Sequence, residues 1–190
     1  MFQFNEKRYD IERLDGDCYF DEKLNELVFS SEFLQAIQEF ADSDLPNSFF
    51  LQHLNDSCPL IFREKRFWIG FAKVLTTRGY EKIKDDAEAM LMWLQDINWP
   101  GNCVVIPFVR KNFAFFRKTI LQCITRAWYS NDTAWANALL TLYQEETGMS
   151  EDQAFAWMNQ AENASNVFAE SILAIMQELE KFDKNAKANK

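Results

Sequence analysis

The chain has 190 residues, 48% hydrophobic and 15% aromatic, enough apolar area for one generous or two small domains with a substantial core. Only 5 Gly and 4 Pro are present, which disfavours a loop-rich or many-stranded fold. The net charge of −9 argues against nucleic acids and anionic membranes, whose recognition needs clustered Lys and Arg, and leaves a basic protein partner or simple solubility.

The charge falls in blocks: −9 over residues 1–56, +5 over 57–140 and −5 over 141–190. Blocks of this kind are solvated faces or, at the acidic N-terminus, a docking surface. The acidic residues that define such a surface are Asp10, Glu12, Asp15, Asp17, Asp21, Glu22 and Glu26. The pattern divides the chain into an acidic segment over residues 1–29, one helical domain over 30–183 and a polar tail over 184–190.

In chain order, Leu14-Asp15-Gly16-Asp17 is a turn signal. Its flanks, Tyr9-Asp10-Ile11 and Cys18-Tyr19-Phe20, form either a short hairpin or loops leading into a helix. Ser30 or Ser31 caps a first helix carrying Phe33, Ile37 and Phe40 on one face. Pro46 starts a second, with Phe49, Phe50 and Leu54, and Pro59 a third, with Leu60, Phe67, Phe71 and Val74, stopped at Gly79.

A fourth helix is expected from Glu81 to Asp96 with Met90, Trp93, Leu94 and Ile97 as its apolar stripe, broken by Pro100 and Gly101. An apolar stretch over 102–110 starts another, with Pro107 limiting its regularity. Phe113, Phe116, Ile120, Cys123, Ile124 and Ala127 mark a long buried helix. Asn131 or Asp132 caps the next, with Trp135, Ala138, Leu139 and Leu142, ended by Gly148. Ser150-Glu151-Asp152-Gln153 is a capping box opening one long helix or two, through Phe182.

The expected fold is therefore all-α, with about seven or eight helices in an α-solenoid or an irregular bundle and a short N-terminal hairpin as an option. A βαβ fold lacks strands, because Val104-Val105-Ile106 is closed by Pro107.

Chemistry-bearing patterns are absent. His53 is the only histidine, which removes multi-imidazole zinc sites and places any Ser–His or Cys–His site on one residue at a helix end. No Gly-rich phosphate loop occurs. Cys18, Cys58, Cys103 and Cys123 have no CxxC spacing, and the last three sit among apolar neighbours as small core residues. The charged Met1–Asp10 stretch does not read as a leader, and no apolar run reaches a membrane span, so a reducing, cytoplasmic setting is expected. No catalytic residue, metal or cofactor is expected.

The basic central block, Arg63, Lys65, Arg66, Arg110, Lys111, Arg117 and Lys118, is interleaved with Phe62, Phe67, Trp68, Phe113, Phe115 and Phe116. Core spacing assigns these rings to the interior rather than to nucleotide stacking. The charges are then wet faces, or partners for the acidic N-terminal segment that stabilise the surface modestly.

The most distinctive string, Met92 to Gly101, reads as a helix ending at a sharp corner. Trp93 and Trp99 wedge the corner, Asp96 or Asn98 bonds back to free amides, and Pro100 disfavours helix at Trp99. Trp93-Leu94-Gln95-Asp96 followed by Asn98-Trp99-Pro100 resembles the WLQD-x-NWP signature of a small bacterial helical-repeat domain of unknown function. Such HEAT-like domains also occur among immunity proteins that neutralise toxins used between bacteria. The resemblance implies a helical-repeat core and brings no catalytic residue.

Acidity and resemblance together give the expected function: a tight, stoichiometric inhibitor of a basic toxin such as a nuclease, which grips phosphates through its own cations. The alternative is a helical-repeat scaffold or adaptor with no toxin partner. Neither reading involves nucleic acid or membrane as the ligand of this chain.

Overall fold

The N-terminal segment folds differently from the hairpin read around Gly16. Asp10 Oδ1 accepts the Glu12 N–H (3.2 Å) and starts a 3₁₀ turn at Ile11–Leu14, so Tyr9-Asp10-Ile11 is not a strand. A local side-chain bond to the backbone competes with a sheet ladder, and here it wins. Cys18-Tyr19-Phe20 does become a strand, but its partner lies downstream. β1 (Cys18–Asp21) pairs antiparallel with β2 (Glu26–Phe29), with Cys18 opposite Phe29 and Asp21 opposite Glu26. The computed structural model describes residues 9–16, 18–21, 26–54, 64–150, 152, 153 and 156. Contacts divide the chain into two compact units, residues 1–120 and 121–190.

In the first unit, Ser30 Oγ accepts the Phe33 N–H (3.1 Å) and caps α1 (Ser31–Ala41). Phe33, Ala36, Ile37, Phe40 and Ala41 form its buried stripe. Pro46 precedes α2 (Asn47–Leu51), which buries Phe49, Phe50 and Leu51. Of the third expected helix, Pro59 and Leu60 lie outside the described residues. Its later part is a 3₁₀ turn at Lys65–Phe67 running into α3 (Trp68–Arg78), with Gly79 after its last turn.

α3 is the centre of this unit. It packs against α1, α2 and the Ile11–Leu14 turn. Trp68, Gly70, Phe71, Ala72, Val74 and Leu75 are all buried, covering more than one helical face. Phe50 meets Phe40 and Phe71 edge-on at 6.3 and 6.1 Å, and Phe67 stacks on Phe71 at 6.1 Å. Each fully buried ring of this kind contributes roughly 1.5–3 kcal/mol relative to exposure.

The helix expected over 81–96 is segmented. α4 (Tyr80–Ile83), a 3₁₀ turn at Lys84–Asp86, α5 (Ala87–Leu91) and a 3₁₀ turn at Met92–Gln95 follow one another. Ile83 (φ −114°, ψ 1°) and Asp86 (φ −106°, ψ 11°) leave helical geometry and interrupt the ladder. Met90, Trp93 and Leu94 are buried, but Ile97 is 58% exposed. Asp96 is extended (φ −133°, ψ 112°), so Ile97 no longer follows the helical period.

α6 (Asn102–Lys111) includes Pro107, which is exposed together with Cys103 four residues earlier. The carbonyl that loses its helical donor therefore lies on the solvent side, where water replaces the bond. Exposed Cys103 is a correction to its reading as a core residue, whereas Cys123 is buried. α6 packs on α3, and Asn112 alone joins it to α7 (Phe113–Tyr129).

In the second unit, Leu121, Cys123, Ile124 and Ala127 of α7 are buried. Asn131 takes a positive φ of 60°, and Asp132 Oδ1 accepts the Trp135 N–H (3.1 Å) to cap α8 (Thr133–Thr147). Trp135, Ala136, Leu139, Leu142 and Tyr143 are buried along α8, and Arg126 lies 5.2 Å over the Trp135 ring. Gly148 follows the last turn. Ser150 and Gln153 satisfy each other's backbone amides at 2.9 and 3.3 Å, the reciprocal capping box. The helix or helices expected through Phe182 lie outside the described residues. The fold is all-α with one two-stranded hairpin, and no helix among the described residues is long and apolar enough to cross a membrane.

Candidate functional site: an acidic face and a tryptophan corner

The acidic residues of the N-terminal segment are distributed over three settings. Asp10 is exposed and caps the Ile11–Leu14 turn. Glu12 and Asp15 are exposed and converge on Arg66: Arg66 Nη1 donates to Glu12 Oε2 (2.6 Å) and Asp15 Oδ2 (2.7 Å), and Nη2 to Glu12 Oε1 (3.1 Å). Asp21 ends β1 opposite Glu26, the first residue of β2. Asp17 and Glu22 lie outside the described residues.

Arg66 also donates from Nε to Glu64 (2.7 Å) and covers the Phe67 ring at 4.2 Å. Glu12 first, then Asp15 and Glu64, hold its guanidinium charged far above the ordinary range. The basic block thus neutralises part of the acidic segment within the chain. All the groups are solvent-exposed, so the bridges are weak and screened by salt. Arg66→Ala is expected to lower the melting temperature only slightly, and the deficit should shrink further in high salt. An equal deficit at both salt concentrations would show that stacking on Phe67, rather than charge, is what Arg66 supplies.

α1 extends this face. Arg13 bridges Glu39, which lowers the Glu39 carboxyl and raises the Arg13 guanidinium. Tyr9 donates its hydroxyl to Asp44 (2.8 Å) and packs its ring on Phe40 at 5.6 Å. These bonds lay the 3₁₀ turn beside α1 and join it to Glu39 and Asp44, and Glu32 and Asp42 are further exposed carboxylates at the two ends of α1. Glu32 is held below the usual carboxylate range by its own backbone N–H and by the Ser31 hydroxyl. The contribution of α1 was legible in its sequence, because these carboxylates occupy the positions that the Phe33–Phe40 stripe leaves to solvent.

Behind the acidic face, Arg78 is half-buried and reaches Asn47 Oδ1 (2.7 Å) and Phe40 O (3.2 Å), with Phe50 4.9 Å beneath it. Burial lowers its pKa. Asn47 in turn donates to Asp86 (2.8 Å) and Lys82 O (2.7 Å), relaying between the cation and the carboxylate. No pattern in the sequence marks this network, which joins residues more than thirty positions apart.

The Trp93–Asn102 string is a closed corner. Trp93 is fully buried, and its Nε1 donates to Pro100 O (3.0 Å). Asp96 Oδ1 accepts from the Asn98 backbone N–H (2.9 Å) and side-chain Nδ2 (3.2 Å). Asn102, 3% exposed, donates Nδ2 to both Trp93 O (3.0 Å) and Asp96 O (2.8 Å). Trp99 meets Trp68 edge-on at 5.2 Å. Gly101 has φ +98°, and a Cβ there would come within 2.8 Å of Trp93 Nε1 and 3.1 Å of Trp68 O. Only glycine combines that dihedral with that approach. The string positions α6 against α3 and uses its polar groups internally. Asn102 and Gly101 escape a sequence reading because their roles depend on carbonyls and rings brought up by the fold.

Among the described residues no group of three or more His, Cys, Asp or Glu could hold a metal ion. His53 stands in the 3₁₀ turn Gln52–Leu54. No curated protein and no solved structure matches the chain. Residues 62–187, about two thirds of the sequence, match the DUF5071 family, a domain of unknown function; the span includes the tryptophan corner, α3 and α6. The chain belongs to the DUF5071 family.

Proposed function

We infer that the protein is a non-catalytic inhibitor of the immunity type, which neutralises a basic toxin by binding it stoichiometrically. The observation that carries this reading is the set of exposed carboxylates on the Ile11–Leu14 turn and on α1, which pack against each other. Of these carboxylates, Asp10, Glu32 and Asp42 make no ion pair among the described residues. Such a field speeds encounter with a cationic partner and fixes its orientation. The Trp93–Pro100 string resembles the signature of a helical-repeat domain of unknown function, and the occurrence of such HEAT-like domains among immunity proteins is in keeping with the same reading.

The test is capture on the immobilised protein from cells that make both components, with elution by a salt gradient. A basic protein should leave only at high salt, in one-to-one ratio, and its toxicity should vanish when this chain is co-expressed. Charge reversal at Glu32 and Asp42 should slow association and flatten its salt dependence while the circular dichroism stays unchanged. A partner whose binding ignores both salt and these substitutions would point instead to the second reading, a helical-repeat adaptor. That reading draws on the exposed ring of Phe115.

A further inference from the structure

Core spacing assigns Phe115 to the interior, and the structure overturns that: its side chain is 57% exposed, the ring lying flat on Tyr80 with centroids 4.7 Å apart. Phe116, its neighbour, is fully buried and meets Tyr80 edge-on at 5.3 Å, so Tyr80 is held between the two rings. The two helices meet at the one-residue joint Asn112, whose N–H closes α6 on Phe108 O (3.1 Å) and whose carbonyl opens α7 by accepting from Phe115 (2.9 Å) and Phe116 (3.2 Å). The buried stripe of Val105, Val109, Phe116 and Ile120 keeps helical spacing across the joint, and Phe115, one position off that stripe, faces out. Lys118, one turn beyond Phe115, shares its face, and Lys111 ends α6 beside the joint. Both lysines are exposed and make no ion pair among the described residues. The elbow is thus a rigid aromatic knob with cations around it.

The outer face of α1 has the opposite character. Leu34 is 44% exposed, and Leu34, Gln38 and Asp42 follow at spacings of four along the exposed side. Gln38 donates to Asp42 (2.8 Å) and steadies its carboxylate. Glu32 and Asp42 have no cationic partner among the described residues, just as Lys111 and Lys118 have no acidic one. One chain therefore presents exposed carboxylates beside an apolar residue and exposed lysines beside an apolar ring, neither set ion-paired among the described residues.

We propose that the α6–α7 elbow docks the acidic outer face of α1 from a second copy of this chain, Phe115 packing toward Leu34 while Lys111 and Lys118 meet Asp42 and Glu32. A short nucleic acid could use the same ring and lysines, but it lacks an apolar side chain for the Phe115 ring, whereas a second copy brings both exposed Leu34 and the matching carboxylates. The contact is small, with one ring and one leucine at its centre, so the association is weak and salt-sensitive. It stands independently of the inhibitor reading. It does place α1 in two roles, so a toxin on that face would compete with the second copy.

Sedimentation velocity of the full chain over a concentration series, at low and high salt, tests the proposal. The sedimentation coefficient should rise with concentration at low salt and fall back to the monomer value at high salt. Phe115→Ser and the pair Lys111→Glu with Lys118→Glu should each weaken association by about tenfold or more without changing the circular dichroism. So should Glu32→Lys with Asp42→Lys. Mixing the two charge-reversed proteins should restore association, an outcome that a merely damaged fold does not give. A monomer at every concentration in low salt, or association unmoved by all three variants, overturns the proposal. Lysine-dependent binding of a fluorescent single-stranded oligonucleotide overturns it as well, by assigning the elbow to nucleic acid.

Discussion

Gly70→Ala should destabilise the protein by about 2–4 kcal/mol and release its N-terminal turn, even though alanine is the better helix former. Gly70 lies inside α3 and is buried where the Ile11–Leu14 turn crosses the helix. A Cβ added there would overlap the Leu14 carbonyl oxygen and approach Leu14 Cβ to 2.9 Å. These are backbone and first side-chain atoms, which cannot swing aside like the end of a flexible side chain. Replacing a helix-interior glycine by alanine is worth about 1 kcal/mol in propensity, and the overlap outweighs it. Leu14 is fully buried, so lifting the turn also returns its side chain to water.

Two measurements follow from Gly70→Ala. The denaturant midpoint should fall, and proteolysis on the N-terminal side of α1 should accelerate by more than global unfolding accounts for. Gly79→Ala is the control, because a Cβ there meets nothing within 4 Å and suffers only its φ of +82°. If Gly70→Ala proves as stable as the parent, the turn is not seated on α3 as described, and the acidic face loses its foundation.

Asn102 should be the most sensitive polar residue of the corner. Removing its amide in Asn102→Ala takes the donor from Trp93 O (3.0 Å), while Asp96 O loses one bond (2.8 Å) and keeps the Trp99 N–H (2.9 Å). A buried acceptor left unmet costs about 1–3 kcal/mol, and a loss of that size is expected. Asn102→Asp should be worse at neutral pH, because a carboxylate oxygen would face both carbonyl oxygens. Burial and this repulsion raise the pKa of the new carboxyl in the folded state. The folded protein then holds a proton that the unfolded chain releases, and stability falls as pH rises through the ordinary carboxylate range toward that raised value. Urea titrations of the two variants across the acid range decide the matter. The Asp variant should recover relative to the Ala variant as pH drops, since a protonated carboxyl can again donate one bond. Parallel curves would mean that position 102 is reached by water and that its two hydrogen bonds contribute little.

Much of the architecture was readable along the chain. The Ser30 cap, the buried stripe of Phe33, Ile37 and Phe40, the Asp132 cap and the Ser150–Gln153 box depend on residues within one or two helical turns of each other. So did the acidic bias of the N-terminal third, which composition alone displays. Elsewhere local reading failed for identifiable reasons. Asp10 diverted its neighbours from a strand into a 3₁₀ turn, and breaks at Ile83 and Asp86 divided a helix whose apolar period looks continuous. Phe115 stands one position off the buried stripe of Phe116, Ile120 and Cys123, so the apolar run around it did not make it a core residue.

The sequence by itself determined the all-α class, the caps and the charge blocks, because periodicity, capping and composition act over a few residues. Only the tertiary structure decided which acidic residues are already neutralised by Arg66, what crowds Gly70 and which carbonyls Asn102 holds, and which aromatic ring meets solvent. Each of these depends on atoms distant in sequence arriving within a few ångströms, and no local pattern of residues encodes that approach.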